Sequence, residues 1–236
     1  MPYKKYESTI HIVDEYSQKR VVECAVGLTG KTLLAVTSKV CLWFTLREFL
    51  LYSRLGKTDA HWLNMHDAGR LDIVYECIIS SLFLSHGIRR DVTFNAVLNG
   101  PPAPPLHLQI SGVHLYDVRT DIGTWEVILK KALGGKTHPG VTVNKTSFEA
   151  LLKAKAETAP IYVLEEGGKN VAEVEVKPNS VFVLGDHVGL PKKVEKFALR
   201  FGEKISLGKT PYLAASCITI INYLLDTQSK VSNATQ

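Results

Sequence analysis

The chain has 236 residues, of which 45% are hydrophobic and 22% charged, and its formal net charge is +5. This composition is ordinary for a folded domain and excludes collagen, a coiled coil and a wholly disordered chain. No apolar core of a signal peptide follows the N-terminus, and no run approaches the roughly 20 apolar residues of a membrane span. We therefore expect a cytoplasmic protein with no membrane partner, whose mild basicity permits nucleic-acid binding without requiring it.

The first 44 residues show short β patterns with no long helix between them. Strands are predicted at 9–13, 20–25 and 32–36. Residues 25–32 approach a phosphate-binding loop, but that motif wants glycine where Ala25 stands and a helix after Lys31 and Thr32. A hairpin turn fits this stretch better. We interpret residues 1–44 as a small β-rich N-terminal extension.

From residue 45 onward, strand and helix patterns alternate, which predicts an α/β domain over 45–226 and a polar tail over 227–236. Gly87 is expected to cap the first helix in the left-handed conformation, and Gly167–Gly168 to form a turn. The helix at 212–225 is apolar on nearly every side and must be covered all round. Strands are predicted at 47–52, 91–98, 141–143, 160–164, 180–184 and 204–207, and helices at 69–85, 124–133, 147–155, 191–200 and 212–225.

The four cysteines stand far apart, with no Cys-x-x-Cys pair, which argues against a zinc ribbon, a redox motif or a disulfide framework. His61 and His66 are five residues apart in a predicted loop, and neither has ligand spacing with a cysteine or carboxylate. We therefore expect no metal. The cysteines are Cys24, Cys41, Cys77 and Cys217.

Two glycine-bearing segments follow apolar strands late in the chain, at 184–190 and 205–208. Glycine at a strand end lets a ligand approach backbone N–H and C=O groups at the carboxyl edge of an α/β sheet. Two tight turns between strand and helix would give the same pattern. The residues alone leave both interpretations open.

Several sequence strings favour the ligand-binding interpretation, because they resemble those of a known protein family. GRLD at 69–72, LFLSHGIRRDV at 82–92, FVLGDHVG at 182–189 and ISLG at 205–208 occur in one order along the chain. With them, residues 46–226 resemble the archaeal-type tRNA pseudouridine-54 N1-methyltransferases of the SPOUT class. Two features depart from that family: residues 1–44 are an addition, and Ala214-Ala215-Ser216 stands where many members carry His or Asn before Cys217.

The resemblance implies a SPOUT-type open parallel sheet with a C-terminal deep trefoil knot, a homodimer, and S-adenosylmethionine (SAM) as cofactor. The adenine would be held largely by main-chain groups of the knot loops. Carried over by position, the cofactor-binding residues would be Leu164, Leu184, Gly185, Gly189, Leu207, Gly208, Lys209, Thr210, Pro211, Tyr212 and Cys217.

The same resemblance implies N1-methylation of pseudouridine in RNA, at T-loop position 54 of tRNA. Asp72 and Asp91 are the candidate acceptors of the N1 proton; a helix N-terminal acid and a solvated turn acid are the alternatives. Arg70, Arg89 and Arg90 are expected to bind RNA, with surface salt bridges as the alternative.

Two other functions stay open. One is a related SPOUT methyltransferase that acts on ribosomal RNA pseudouridine. The other is a non-catalytic RNA-binding homologue, which would bind RNA without methyl transfer.

Overall fold

The computed structural model describes residues 7–13, 19–25 and 46–231, and the chain divides into two compact units, 1–44 and 45–236. In the first unit, strand β1 (Glu7–Val13) pairs antiparallel with strand β2 (Lys19–Ala25). The predicted strand at 32–36 and most of the glycine-bearing stretch at 25–32 lie outside the described residues.

The second unit is an α/β domain built on a seven-stranded sheet of order β11-β9-β10-β3-β6-β7-β8. The five strands from β11 to β6 run parallel, and β7 and β8 continue the sheet antiparallel. The sheet strands are β3 (Arg47–Ser53), β6 (Val92–Leu98), β7 (Leu106–Ser111), β8 (Val141–Asn144), β9 (Ile161–Asn170), β10 (Val181–Gly185) and β11 (Gly202–Ser206), and β4 (Phe83–Leu84) and β5 (Gly87–Ile88) form a separate small hairpin.

Five helices cover the two faces of this sheet: α1 (Leu71–Leu82), α2 (Ile122–Leu133), α3 (Phe148–Ala156), α4 (Lys192–Ala198) and α5 (Ala214–Val231). Alternate residues of each central strand enter opposite cores. Phe49 packs in one core with side chains of α1, α2 and α5, whereas its neighbour Leu50 packs in the other with α3 and α4. Both faces are therefore apolar, as in a doubly covered parallel sheet. Among the described helices, none is long and apolar enough to cross a membrane.

The structure differs from the sequence prediction in several places. Gly87 does not cap α1, because the helix ends at Leu82 with Phe83 as its C-cap, and Gly87 enters the β4–β5 hairpin. Gly167–Gly168 is not a turn, since β9 continues through it to Asn170. Strand β7 was not predicted, and α5 continues past Asp226 to Val231.

A buried polar chain crosses the sheet between β3, β6 and β7. The Asn95 amide donates to Glu48 Oε2 at 3.0 Å, and its Oδ1 lies 2.9 Å from His107 Nε2. Because the amide nitrogen already donates to Glu48, Oδ1 is the acceptor of a hydrogen bond from the Nε2–H of His107. Lys155 of α3 closes the chain through an ion pair to Glu48.

Candidate active site

A pocket opens at the carboxyl edge of the parallel strands, where β9, β10 and β11 lie side by side. Open α/β sheets bind their ligands at this edge. The loops after β10 and β11 and the first turn of α5 complete the wall. The lining residues are Leu164, Glu165, Glu166, Leu184, Gly185, Asp186, Gly189, Ser206, Leu207, Gly208, Thr210, Pro211, Tyr212, Ala214 and Cys217.

Of the predicted cofactor residues, all but Lys209 line this pocket. They come from three segments that are distant in sequence: β9, the end of β10 with its following loop, and the segment from 207 to 217. The parallel pairing of β10 with β9, and of β9 with β11, brings these segments together. Their part in binding a cofactor stays a prediction.

Gly185 is required by the packing of the chain on itself. A Cβ at this position would lie 2.3 Å from the carbonyl carbon of Gly189 and 2.4 Å from the nitrogen of Leu190. Asp186 and Gly189 also form an isolated β-bridge. The loop after β10 therefore folds back onto the strand end, and only glycine leaves room for that approach.

The loop after β11 is fixed by its own hydrogen bonds. Gly208 has φ +113°, a conformation that residues with a Cβ rarely adopt. Ser206 Oγ accepts from the Gly208 N–H at 3.0 Å and donates to the Gly208 carbonyl at 2.9 Å. Both polar backbone groups of Gly208 are therefore held within the loop that lines the pocket.

Cys217 reaches the pocket from α5, with its thiol 3.6 Å from the carbonyl oxygen of Tyr212. Burial raises the pKa of the Cys217 thiol. A thiol that stays protonated at neutral pH is a poor nucleophile. Cys217 therefore contributes packing to the pocket wall.

Asp186 joins two loops at the pocket. Its side chain is 5% exposed, and its carboxylate accepts from the backbone N–H of Arg54 at 2.8 Å and of Val188 at 3.0 Å. Arg54 begins the segment between β3 and α1, and its Nη2 lies 3.4 Å from the Gly189 carbonyl oxygen. The carboxylate thus ties the β3–α1 segment to the loop after β10.

Arg70 and Asp72 lie beside this edge at the start of α1. Arg70 has the left-handed conformation (φ 66°), and its guanidinium holds both oxygens of Asp72 at 3.0 and 3.1 Å. The hydrogen bond to Asp72 raises the pKa of Arg70, and the charge of Asp186 acts in the same direction. Arg70 is therefore within electrostatic range of the pocket.

Asp91 lies at the opposite edge of the sheet. Its carbonyl accepts from the Arg47 N–H at 2.9 Å, and its carboxylate pairs with Arg47 Nη2 at 3.0 Å. Arg47 begins β3, which runs parallel to β10, so the length of β3, roughly 20 Å, separates Asp91 from the pocket of the same protomer. The structure does not bring the two predicted proton acceptors together.

Arg89 and Arg90, predicted to contact RNA, both have partners within the protein. Arg89 donates to the two carboxylate oxygens of Asp226 at 2.9 and 2.6 Å. Arg90 donates to the carbonyl oxygens of Gly112 and Leu115 at 2.8 and 2.9 Å. The contact between Arg89 and Asp226 is a salt bridge, which is the alternative to RNA binding that the sequence left open for Arg89.

Three acidic residues of the pocket were missed from the sequence: Glu165, Glu166 and Asp186. The signal that could have found Asp186 is its position, directly after the glycine that ends β10. Glu165 and Glu166 lie beyond Leu164, where the sequence pattern ended the predicted strand, although β9 continues through them to Asn170. Among the described residues, no group of three or more His, Cys, Asp or Glu could hold a metal ion.

Comparison with known proteins gives a consistent match. Residues 46–230 match the family of SAM-dependent RNA methyltransferases. Among curated proteins, the tRNA (pseudouridine(54)-N(1))-methyltransferase of Methanocella arvoryzae is 37% identical over 67% of this chain and 86% of its own length. The same-named proteins of Methanopyrus kandleri and Thermococcus kodakarensis are 34% and 35% identical over 77% of this chain, and over 93% and 99% of their own lengths.

Among solved structures, the chain resembles Nep1 of Archaeoglobus fulgidus bound to S-adenosylhomocysteine, with a TM-score of 0.52 and 12% identity. The match covers 75% of this chain and 94% of Nep1. At this identity the likeness shows a shared fold.

Proposed function

Because this chain belongs to the family of SAM-dependent RNA methyltransferases that includes the archaeal tRNA (pseudouridine(54)-N(1))-methyltransferases, we propose that it methylates N1 of a pseudouridine in tRNA. Position 54, the position that the relatives' names give, is the proposed target, and we place it in the T-loop. The single observation that carries the proposal is the match at 34–35% identity across nearly the full length of these relatives. As a tRNA-modifying enzyme, the protein is proposed to act in the cytoplasm.

The pocket at the carboxyl edge is the proposed SAM site, within a SPOUT trefoil knot formed by the loops after β10 and β11. Its lining fits this cofactor in two respects. Leu164, Leu184 and Leu207 offer an apolar surface for adenine, and the absent side chains of Gly189 and Gly208, where no heavy atom lies within 4 Å of a Cβ position, let a ligand approach the main chain. When bound, SAM supplies an activated methyl group on a sulfonium.

The chain's own contribution is to place N1 of the base in line with that methyl group, with the reacting atoms roughly 3–3.5 Å apart. The N1 proton needs an acceptor. Asp72 is proposed for this role because it lies at the same sheet edge as the pocket. Asp91 lies at the far edge of the same protomer and is paired with Arg47, so within one protomer Asp72 is the better placed of the two candidates.

Arg70 is the proposed RNA contact nearest the pocket. Its left-handed backbone presents the guanidinium beside Asp72, and its side chain is 35% exposed. A flipped-out loop nucleotide offers phosphate and base-edge acceptors to such a group. Arg89 and Arg90 stay predicted contacts, with the structural roles described above.

We propose a homodimer on the basis of the exposed side of α5 and the segment before it. Leu213 and Tyr223 are 67% and 66% exposed, and Tyr212 is 47% exposed. Large apolar side chains left exposed on a helix and on the segment that leads into it are typical of a protein interface. Light scattering that shows a stable, active monomer would refute the dimer.

The decisive experiment uses a T-loop stem-loop made with pseudouridine or with uridine at the target position. Uridine's glycosidic bond occupies N1, so only the pseudouridine RNA has an acceptor there. Incubation with purified protein and SAM should yield methylpseudouridine from the first RNA and nothing from the second, measured by nucleoside mass spectrometry. Methylated uridine, or methyl on a 2′-hydroxyl, would contradict the proposal.

A parallel arm offers ribosomal RNA fragments that contain pseudouridine. Preferred methylation of these fragments would replace tRNA by ribosomal RNA as the substrate. RNA binding with no transfer to any substrate would identify a non-catalytic homologue and would direct attention to Ala214-Ala215-Ser216, of which Ala214 lines the pocket.

A further inference from the structure

The ionisable groups in the pocket wall have a marked bias. Three carboxylates line it, from Glu165, Glu166 and Asp186, and no Lys or Arg of the described residues is among the lining. The whole chain carries a net charge of +5, so this acidic wall is not a reflection of composition. A wall of this kind favours a ligand with positive charge.

The three carboxylates are not equivalent. Asp186 is engaged by the backbone N–H groups of Arg54 and Val188, so its charge is already stabilised by the protein. Glu166 is exposed, and water stabilises its charge. Glu165 is only partly exposed, its carboxylate has one backbone donor, the N–H of Leu190, and among the described residues no Lys or Arg pairs with it within 4 Å.

The surroundings of Glu165 disfavour its negative charge. Burial raises the pKa of its carboxyl, and the charges of Glu195 and Glu166 act in the same direction. Lys204 and the backbone N–H of Leu190 oppose them without cancelling them. The ammonium of Lys204 is itself paired with Glu195. A cation that entered the pocket would relieve this unfavourable charge.

We propose that Glu165 is the residue that binds the positive charge of the methyl donor. The proposal rests on the function proposed above, in which SAM occupies this pocket. SAM carries two positive charges, on its sulfonium and its α-ammonium group, whereas its demethylated product keeps only the ammonium. A carboxylate in a partly desolvated wall attracts either group more strongly than it would in water.

The test is a calorimetric comparison of three ligands that differ in their cationic groups. SAM has both cationic groups, S-adenosylhomocysteine has the ammonium alone, and methylthioadenosine has neither. Glu165→Gln removes the charge and keeps the shape of the side chain. Glu203→Gln is the matched control, because Glu203 is an exposed carboxylate on the adjacent strand β11, outside the pocket lining, and its loss changes the net charge equally.

Glu165→Gln should weaken SAM binding roughly tenfold and leave methylthioadenosine binding unchanged, while Glu203→Gln should change neither. A matching loss for S-adenosylhomocysteine assigns the contact to the ammonium, and a loss for SAM alone assigns it to the sulfonium. Either result supports the proposal. The effect should weaken with added salt, because partly exposed charges are screened.

Unchanged SAM affinity, or an equal loss for all three ligands, would overturn the role of Glu165 and leave the proposed function intact. Failure of the unsubstituted chain to bind SAM or S-adenosylhomocysteine would overturn both. If the Glu165→Gln variant does not fold, the Glu165→Asp variant is used instead. Its side chain keeps the negative charge but is shorter by one methylene group, so the carboxylate lies farther from the ligand. A smaller loss, again confined to the charged ligands, is then the expected result.

Discussion

The buried histidine on β7 should give the protein a measurable dependence of stability on pH. His107 is 5% exposed, and burial lowers the pKa of its imidazole from 6.5 to about 4, with the charge of Lys155 acting in the same direction. In the unfolded chain the imidazole regains its ordinary pKa. Between these values the unfolded state binds the extra proton, so acidification favours unfolding.

The size of the effect follows from the two pKa values. Each pKa unit corresponds to about 1.4 kcal/mol, so the full contribution of His107 is about 3 kcal/mol. It is present above pH 6.5, about 2 kcal/mol of it is lost by pH 5, and all of it is lost below pH 4. A loss of this size is a large fraction of the stability of an ordinary domain.

The substitution His107→Gln isolates this contribution. A glutamine amide can still donate to Asn95 Oδ1 but cannot titrate. The variant should be less stable than the natural chain at pH 7.5, because the ring packing is lost, yet its stability should change less between pH 7 and pH 4.5. Urea unfolding at fixed protein concentration measures both curves. Parallel curves would show that His107 does not titrate in this range and would refute the reasoning.

Three further predictions concern the pocket edge and the far edge of the sheet. Gly185→Ala should weaken SAM binding, measured by calorimetry, at least roughly tenfold, because its Cβ would lie 2.3 Å from the Gly189 carbonyl carbon. Gly167→Ala is the control and should bind SAM normally, since no heavy atom lies within 4 Å of its Cβ. Equal affinities of the two variants would show that the loop moves to accept the added methyl group. Arg70→Gln should weaken tRNA binding and reduce its salt dependence by about one counterion while SAM affinity persists; an unchanged slope in filter-binding assays would remove Arg70 from the RNA surface. Asp226→Asn should destabilise the chain by about 1–2 kcal/mol, discounted for its 35% exposure, since Arg47 and Arg89 lose their shared anion. Burial opposes the ionisation of Asp226, but hydrogen bonds from the two arginines hold the pKa of its carboxyl below the ordinary value. The stability that ionised Asp226 contributes is therefore present above the ordinary pKa of a carboxyl and is lost as pH falls through its lowered pKa. If the unfolding free energy of Asp226→Asn, measured in urea, falls with acid in the same way as that of the natural chain, this reasoning is contradicted.

Local patterns in the sequence predicted most of the elements, because each helix or strand shows its own apolar period. The spacing through Leu71, Val74 and Ile78 is that of a half-buried helix, and the structure has α1 there. Strand β7 also alternates, from Leu106 to Ser111, but it follows a proline run that obscures its start. The turn expected at Gly167–Gly168 is wrong because β9 pairs with β11 again at Lys169 and Asn170, after a break in register that skips residues 164–168, and such distant pairing is not visible in local sequence.

The pocket was predictable only in part, for the same reason. Resemblance located the residues whose main chain lines the pocket. It did not single out Glu165, Glu166 or Asp186, although Asp186 lies within the matched string at 182–189. The partners of Arg47 and Arg89 illustrate the limit further. Asp226 is 179 and 137 residues away from them, and no local pattern links such distant positions.

Helix α5 reaches both edges of the sheet. Cys217 lies in the pocket wall, and Asp226, nine residues later, is held by Arg47 and Arg89 at the opposite edge. An added or deleted residue between them would rotate one end by about 100° relative to the other and shift it by about 1.5 Å. The segment between them can therefore accept substitutions on its exposed side, but its length is fixed, and a natural variant with an insertion there would have to give up either the pocket wall or the anchor.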